Sequence, residues 1–254
     1  MVNNKKVSLV IPCYNEEANL QKGVLDKFGN FTKDDNRFHE VLIVDDGSQD
    51  TTKKMIRDKY LKQFPKFLLI ENTHKGKAFA VMSGIQKATG EYVFFSDIDL
   101  ATPIEEGDKL IQAVEEGYDI AIGSRNPNRK GAPLSRKVLA RGFIMIRDFF
   151  IGLRGIRDTQ CGFKIFNRTA ALDIINRLQV FKLHHAIRGP SVSAGFDLEF
   201  LFIARKLGYT IKEVPVVWRH VETRNVNFLK DALETLGDIA KIKYYDFKGN
   251  YDKK

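Results

Sequence analysis

Tyr92-Val93-Phe94-Phe95-Ser96 runs directly into Asp97-Ile98-Asp99. A short apolar run rich in β-formers reads as a buried strand. The same alternation recurs on both sides of it. Upstream lie a helical pattern at Lys77–Ala88, a strand at Phe67–Ile70, a helix from Asp50 to about Leu61, a strand at Val41–Asp45, a helix at Glu17–Phe28 and a strand at Val7–Pro12. Downstream, a helix begins after Pro103 and a strand occupies Ile120–Gly123. Continuous apolar strands separated by helices predict an α/β fold with a mainly parallel sheet covered on both faces. In such sheets ligands bind beyond the carboxyl ends of the strands. Asp97 and Asp99 therefore stand in a ligand position.

The second half is less regular. It shows a long helix over Ser135–Arg154, a short strand over Cys161–Phe166, a helix over Phe196–Leu207, a strand over Ile211–Trp218 and an amphipathic helix over Val226–Tyr244. The polar tail Lys248–Lys254 is expected to fray. The chain has 254 residues, 43% of them hydrophobic, which suits one large domain or a domain with a small appendage. Two cysteines suggest neither a disulfide framework nor a metal cluster, and a reducing compartment is the simpler reading. No signal-peptide core follows Met1, and no window approaches the roughly 18 apolar residues of a spanning helix. The expectation is a soluble or peripheral cytoplasmic protein. A formal charge of +9 suits polyanionic partners, either an anionic membrane surface or phosphorylated substrates. Nucleic acid is not expected, because no recognisable module appears and the basic residues are scattered.

Polar groups follow each of the first four strands. Asp97 and Asp99, two apart on an extended segment, point the same way and could share one hard cation with substrate phosphates; the plain alternative is a turn. Asp45-Asp46-Gly47-Ser48 reads as a tight turn into a helix cap, or as carboxylates that accept hydrogen bonds from a base or ribose. Lys75-Gly76-Lys77 precedes a helix and is either a phosphate contact or a solvated basic loop. Tyr14, in Pro12-Cys13-Tyr14-Asn15-Glu16, either stacks on a base or packs.

As a set, VSLVIPCYNEEANL, VLIVDDGSQDTT, NTHKGKAFAVMSGIQKATGEYVFFSDIDLATPIEE, IAIGSRN, RDTQCGFKIF, FDLEFLFIARKLGY and IKEVPVVWRH, in this order, resemble the family 2 glycosyltransferases of GT-A fold. More narrowly they resemble the polyprenyl-phosphate sugar transferases, with DIDLATP and RDTQCGFK pointing to the dolichyl-phosphate β-glucosyltransferase branch. The resemblance spans about residues 6–225 and implies a Rossmann-like, mixed but mainly parallel sheet. It divides the chain into a catalytic domain, 1–225, and an appended helix and tail, 226–254. It implies a nucleotide-sugar pocket lined by Pro12, Tyr14, Asn15, Glu16, Val44, Asp46, Lys75, Asp97 and Ile98. A divalent metal, Mg2+ or Mn2+, would sit on Asp97 and Asp99. Arg125 and Arg136 match positions that meet acceptor phosphate, and Arg219 and Arg224 match a mobile basic segment that closes on the diphosphate. Asp158 and Gln160 fall near the sugar and acceptor, and Asp197 and Glu199 where a base is found. Ala101 stands where mannose synthase relatives carry a further metal ligand, so phosphates and water would complete the metal shell. The stretch Lys182–Ser193 is longer than the pattern.

The resemblance implies inverting transfer of a hexose, glucose from UDP-glucose, to a polyprenyl phosphate at the cytoplasmic membrane face. Phosphate is anionic near neutral pH and needs positioning more than a base. The alternative is a soluble transferase acting on a sugar or protein hydroxyl, which requires Asp197 or Glu199 as base. A third reading, nucleotide binding without turnover, is disfavoured by the intact acidic pair and arginines. On a helical wheel Leu139, Phe143, Ile146, Phe150 and Leu153 form one apolar stripe, edged by Arg136, Arg147 and Arg154. This is either an in-plane membrane helix or an ordinary core helix.

Overall fold

Every residue of β1, Val7–Cys13, is buried, as a strand covered on both faces requires. Successive side chains point to opposite faces. Leu9 and Ile11 thus enter one apolar core and Val10 the other. The computed structural model describes residues 6–125, 134–181, 194–219 and 228–252, and of 134–141, 143, 194 and 228–232 the backbone alone. The remaining elements are α1 Glu17–Gln21, α2 Val24–Thr32, β2 Phe38–Asp45, α3 Thr52–Met55, α4 Leu61–Gln63, β3 Phe67–Glu71, α5 Lys77–Lys87, β4 Tyr92–Ser96, α6 Gly107–Glu115, β5 Ile120–Arg125, α7 Leu134–Ile151, β6 Phe163–Asn167, α8 Arg168–Arg177, α9 Ala194–Leu207, β7 Ile211–Val216 and α10 Phe228–Phe247.

The seven strands lie in the order β3-β2-β1-β4-β6-β5-β7. β6 runs antiparallel to both β4 and β5, and the other pairs are parallel. The sheet is therefore mixed and mainly parallel, as expected. The carboxyl ends of the parallel strands share one edge with the start of β6. That edge gathers 13–16, 45–48, 72–76, 97–101, 158–162 and 217–219. Chain order reverses between β1 and β4, so Asp97 emerges beside the switch point.

Helices cover both faces. Val10, Val44, Val93 and Phe95 pack with α5, α8, α9 and α10 in one core. Leu9, Ile11, Phe94 and Phe163 pack with α2, α6 and the 52–63 helix in the other. α5 lies so close to β1 that a Cβ on Gly84 would collide with Val10. Each fully buried large side chain, such as Phe28 or Tyr60, contributes about 1.5–3 kcal/mol.

Several local expectations change. The helix expected over Glu17–Phe28 is two helices, broken at Gly23 with φ 73°, a left-handed conformation that glycine adopts without steric cost. The helix from Asp50 is α3 and α4 joined through a π-helical turn at Ile56–Tyr60. α7 stops at Ile151, before Gly152 with φ 71°, rather than at Arg154. α8 was not expected; Asn167 caps it, its side-chain oxygen accepting the Thr169 and Ala170 amides. The tail does not fray as far as Asp252. Tyr251 is fully buried in the core that also holds Ile239 and Ile242 of α10. Asp246 and Asp252 both pair with Lys206 of α9.

Candidate active site

Asp97 leaves β4 at the switch point. Its amide donates to the Gly162 carbonyl at 3.0 Å. Its carboxylate lies against the Gly162 backbone so closely that any Cβ there would collide with it. This contact explains the glycine in Cys161-Gly162-Phe163. Oδ1 of Asp97 is 2.5 Å from Lys77 Nζ, an ion contact without an aligned hydrogen bond. Asp99 turns back on itself, its Oδ1 accepting the Ala101 amide at 3.0 Å. The turn and the ligand readings of this pair are thus compatible, since one oxygen closes the turn. Burial, with the Asp97 charge adding to it, lifts the Asp99 carboxyl above its ordinary value. The Ala101 carbonyl accepts the Arg219 amide at 2.7 Å, tying the exit of β7 to the acidic turn.

Two lysines compensate the acidic cluster. Burial alone would lower the Lys77 pKa, yet Asp97, Asp197 and Asp99 outweigh it and hold the ammonium above its ordinary value. Lys164 of β6 is 2% exposed. Its Nζ donates to the Cys161 carbonyl at 2.5 Å and to Asp197 Oδ1 at 2.8 Å. Asp197 is nevertheless raised, because burial exceeds the pull of Lys164 and Lys77. Beside this cluster Arg125 forks onto Asp158, Nε to Oδ2 at 2.6 Å and Nη2 to Oδ1 at 2.8 Å. Burial would raise Asp158, but the guanidinium outweighs it and holds the carboxyl below its usual range. The Glu213 carboxylate in turn accepts the Arg157 and Asp158 amides. Asp158 therefore positions Arg125. Gln160 is exposed nearby, its amide donating to Asp158 Oδ1 at 3.2 Å.

On the β1–β2 side, Pro12 pairs with Val44 and Cys13 with Asp45. Asp45 Oδ2 accepts the Gly47 and Ser48 amides, each at 3.0 Å. Asp46 is 2% exposed. Its Oδ1 accepts the Lys75 amide at 2.9 Å; its Oδ2 accepts the Gly76 amide at 2.7 Å and lies 2.8 Å from His74 Nδ1. The adjacent acidic pair is thus used by backbone N–H groups, and Asp46 holds the 74–76 loop rather than presenting an open carboxylate to a base. Tyr14 stacks on His74, ring centroids 4.1 Å apart and planes within 11°. Asn15, at φ 53°, accepts the Gln49 amide at 2.8 Å. The Glu16 amide donates to Thr52 Oγ1 at 2.8 Å. Lys75 Nζ lies 4.6 Å from the centre of the Phe79 ring. The Ile98 side chain is in the core, so only its backbone faces the edge.

Glu199 does not fit the role of base. It is fully buried, and its carboxylate accepts four donors. Oε1 takes the Gln179 and Val180 amides at 2.6 and 2.9 Å and the Tyr251 hydroxyl at 2.7 Å, and Oε2 the Phe181 amide at 3.0 Å. Arg147 is not at a membrane edge either. It is buried, with Nη2 on the Ile156 carbonyl at 2.5 Å and on Asp148 at 2.6 Å. Leu153 is likewise buried. Arg224 and the 182–193 stretch lie outside the described residues, as do the side chains of Arg136, Leu139 and Phe143.

Lys164 is a site residue that the sequence motifs do not single out, and Lys77 stands in them only as part of the basic Lys75-Gly76-Lys77 loop. Lys164 carried a signal, a lone charge inside Phe163-Lys-Ile-Phe166. A strand that is otherwise apolar tolerates a buried ammonium only where a carboxylate meets it.

A mixed sheet with an acidic turn at its switch point, flanked by lysine and arginine, is the architecture of a GT-A glycosyltransferase. The chain belongs to glycosyl transferase family 2, whose sequence pattern matches residues 8–175, and is an enzyme of that class. Over 252 residues it is 35% identical to a dolichyl-phosphate β-glucosyltransferase of Trichomonas vaginalis, covering 94% of this chain and 73% of that one. The protein of the same name from Mus musculus is 34% identical, covering 86% and 68%. Glucosyl-3-phosphoglycerate synthase from Mycobacterium tuberculosis, solved with Mn2+ and UDP-glucose, superposes with a TM-score of 0.68 at 17% identity over 94% of this chain and 79% of that one. Mannosyl-3-phosphoglycerate synthase from Rubrobacter xylanophilus gives 0.67 at 15% identity over 98% and 76%. At these identities the solved structures speak to the fold.

Proposed function

We propose that this glycosyltransferase moves a glucosyl unit from UDP-glucose to a polyprenyl phosphate, with inversion at the anomeric carbon. The observation that carries the reading is the state of the two candidate bases. Glu199 is enclosed by four donors, and Asp197 is paired with buried Lys164. A hydroxyl acceptor must lose a proton to a base. A phosphate acceptor brings its own anionic nucleophile, and a site with one carboxylate enclosed and the other ion-paired suits it. The relatives named dolichyl-phosphate β-glucosyltransferase support the same acceptor class and sugar.

The residues fit a divalent cation at Asp97 and Asp99. The Asp97 oxygen lacks an aligned hydrogen bond, and hard cations favour carboxylate oxygens combined with substrate phosphates. Among the described residues no group of three or more His, Cys, Asp or Glu could hold a metal by itself, so diphosphate and water would supply the other ligands. When bound, the cation would stabilise charge on the leaving diphosphate. Uridine is assigned to the edge formed by Pro12, Val44 and the 14–16 turn, with Tyr14 and His74 as an aromatic shelf and Lys75 beside it. Arg219, joined through its backbone to the acidic turn, is assigned to the diphosphate, together with Arg224. Arg125, aimed by Asp158 through Nε and Nη2, is assigned to the acceptor phosphate with Arg136, its remaining N–H groups supplying charge-assisted hydrogen bonds.

No helix among the described residues is long and apolar enough to cross a membrane. α7 instead exposes Met145, Ile146, Phe149 and Phe150 together, and this face is assigned to the bilayer that holds the acceptor lipid.

The test is transfer from radiolabelled UDP-glucose to polyprenyl phosphate in detergent, run beside a panel of soluble hydroxyl acceptors. Label is expected in the lipid phase. Label found on soluble acceptors alone would overturn the reading.

A further inference from the structure

The acidic cluster has two cations of different character. Lys164 is fixed: it is buried inside a strand, with hydrogen bonds to the Cys161 carbonyl and to Asp197. Lys77 opens α5 directly after Gly76, whose φ is 95°. From the first turn of α5 its long side chain reaches across the sheet edge to Asp97. Its ammonium makes an ion contact at 2.5 Å and lies 5.6 Å from the centre of the Phe95 ring, without an aligned hydrogen bond to the carboxylate. It also feels Asp197 and Asp99. Three carboxylates thus face two ammonium groups, and the oxygen that Lys77 holds is one a metal would take.

We propose that Lys77 is a displaceable internal cation, which neutralises Asp97 in the resting site and passes to the donor diphosphate when metal and nucleotide arrive. The inference rests on the donor and metal reading above. Ammonium and metal ion at contact distance on Asp97 Oδ1 would repel each other, because both are positive, so a metal that takes this oxygen favours departure of the ammonium. The displaced ammonium stays at the N-terminus of α5, where an anion is already favoured, so a diphosphate bound at this edge becomes its new partner. Two consequences follow. Metal alone binds weakly, since it must expel a resident charge. Nucleotide and metal assist each other, and by linkage each tightens the other by the same factor. A metal-free site whose Asp97 and Asp197 each have an ammonium partner also avoids part of the cost of uncompensated carboxylates.

The experiment measures Mn2+ binding to the full-length protein by electron paramagnetic resonance, and UDP binding by calorimetry with and without Mn2+. It compares wild type with Lys77→Met, Lys77→Gln and Lys77→Arg. Lys77→Met and Lys77→Gln should bind Mn2+ alone about tenfold more tightly, and UDP without metal about tenfold more weakly, a modest coupling by the usual range. Lys77→Arg, which keeps the charge, should behave as wild type within about twofold on the same scale. Thermal melts establish that the variants fold, and Lys77→Gln decides the matter if Lys77→Met does not. Wild type that binds Mn2+ and UDP beside Lys77→Gln with unchanged or weaker Mn2+ affinity would refute the lysine exchange alone. Wild type that binds neither ligand would overturn the donor-site reading and the inference with it.

Discussion

Glu199→Gln separates a structural carboxylate from a catalytic one. The substitution keeps the shape and removes the charge. The glutamine oxygen can take the place of Oε1 and keep the Gln179 and Val180 amides and the Tyr251 hydroxyl as partners. Each bond then has a neutral acceptor and weakens by about 1 kcal/mol. The amide nitrogen falls where Oε2 accepts the Phe181 amide, so two donors face each other. A buried donor left unmade costs about 1–3 kcal/mol. The sum is roughly 4–6 kcal/mol, which for a chain of this length lowers the melting temperature by roughly 10–20 °C. Differential scanning calorimetry measures the shift, and turnover is measured well below the new melt. Turnover there should stay within about threefold of wild type, because loss of a general base would cost about 10²–10⁴-fold. Tyr251→Phe should reproduce part of the destabilisation, about 1–2 kcal/mol. A melt that moves by less than about 2 °C, far below the shift worked out above, with turnover down a hundredfold or more, would refute the argument and return Glu199 to catalysis.

Phe149→Glu places a charge on the most exposed part of the α7 face, where Phe149 is 75% exposed; flotation with liposomes should fall severalfold while UDP binding is unchanged, and equal flotation would remove α7 from the membrane surface. Asp158 lies below its ordinary value of 3.8 because Arg125 outweighs the burial that would raise it. The pair therefore contributes stability above pH 3.8 that is lost as pH falls through the lower folded value. Asp158→Asn should be less stable than wild type in urea at pH 7, with the gap narrowing as pH falls below 3.8; a gap independent of pH would exclude the ion pair as its source.

Much of the fold was legible in local sequence. Apolar runs such as Val7–Pro12 and Tyr92–Ser96 read as strands because they are short, rich in β-branched and aromatic residues, and flanked by turn signals. The strand-end rule singled out one edge of the sheet, and the structure gathers Asp97, Asp99, Asp158 and Arg125 along it. Helix interruptions were less legible. Gly23 breaks a pattern whose hydrophobic period continues across it, and α8 opens on a cap signal, Asn167-Arg-Thr169, that a weak apolar period obscured.

What the sequence by itself determined is which residues stand at the carboxyl ends of the parallel strands, since strand length, turn chemistry and alternation are properties of neighbours in the chain. What only the tertiary structure decided is what each charge there is engaged with. Asp97 meets Lys77, Asp197 meets Lys164 across 33 residues, and Glu199 meets Tyr251 across 52. A buried carboxylate is reactive or structural according to the donors that surround it. Those donors arrive from other strands and helices, so a candidate base on a helix became a clamp for a turn and a tail expected to fray became part of the core.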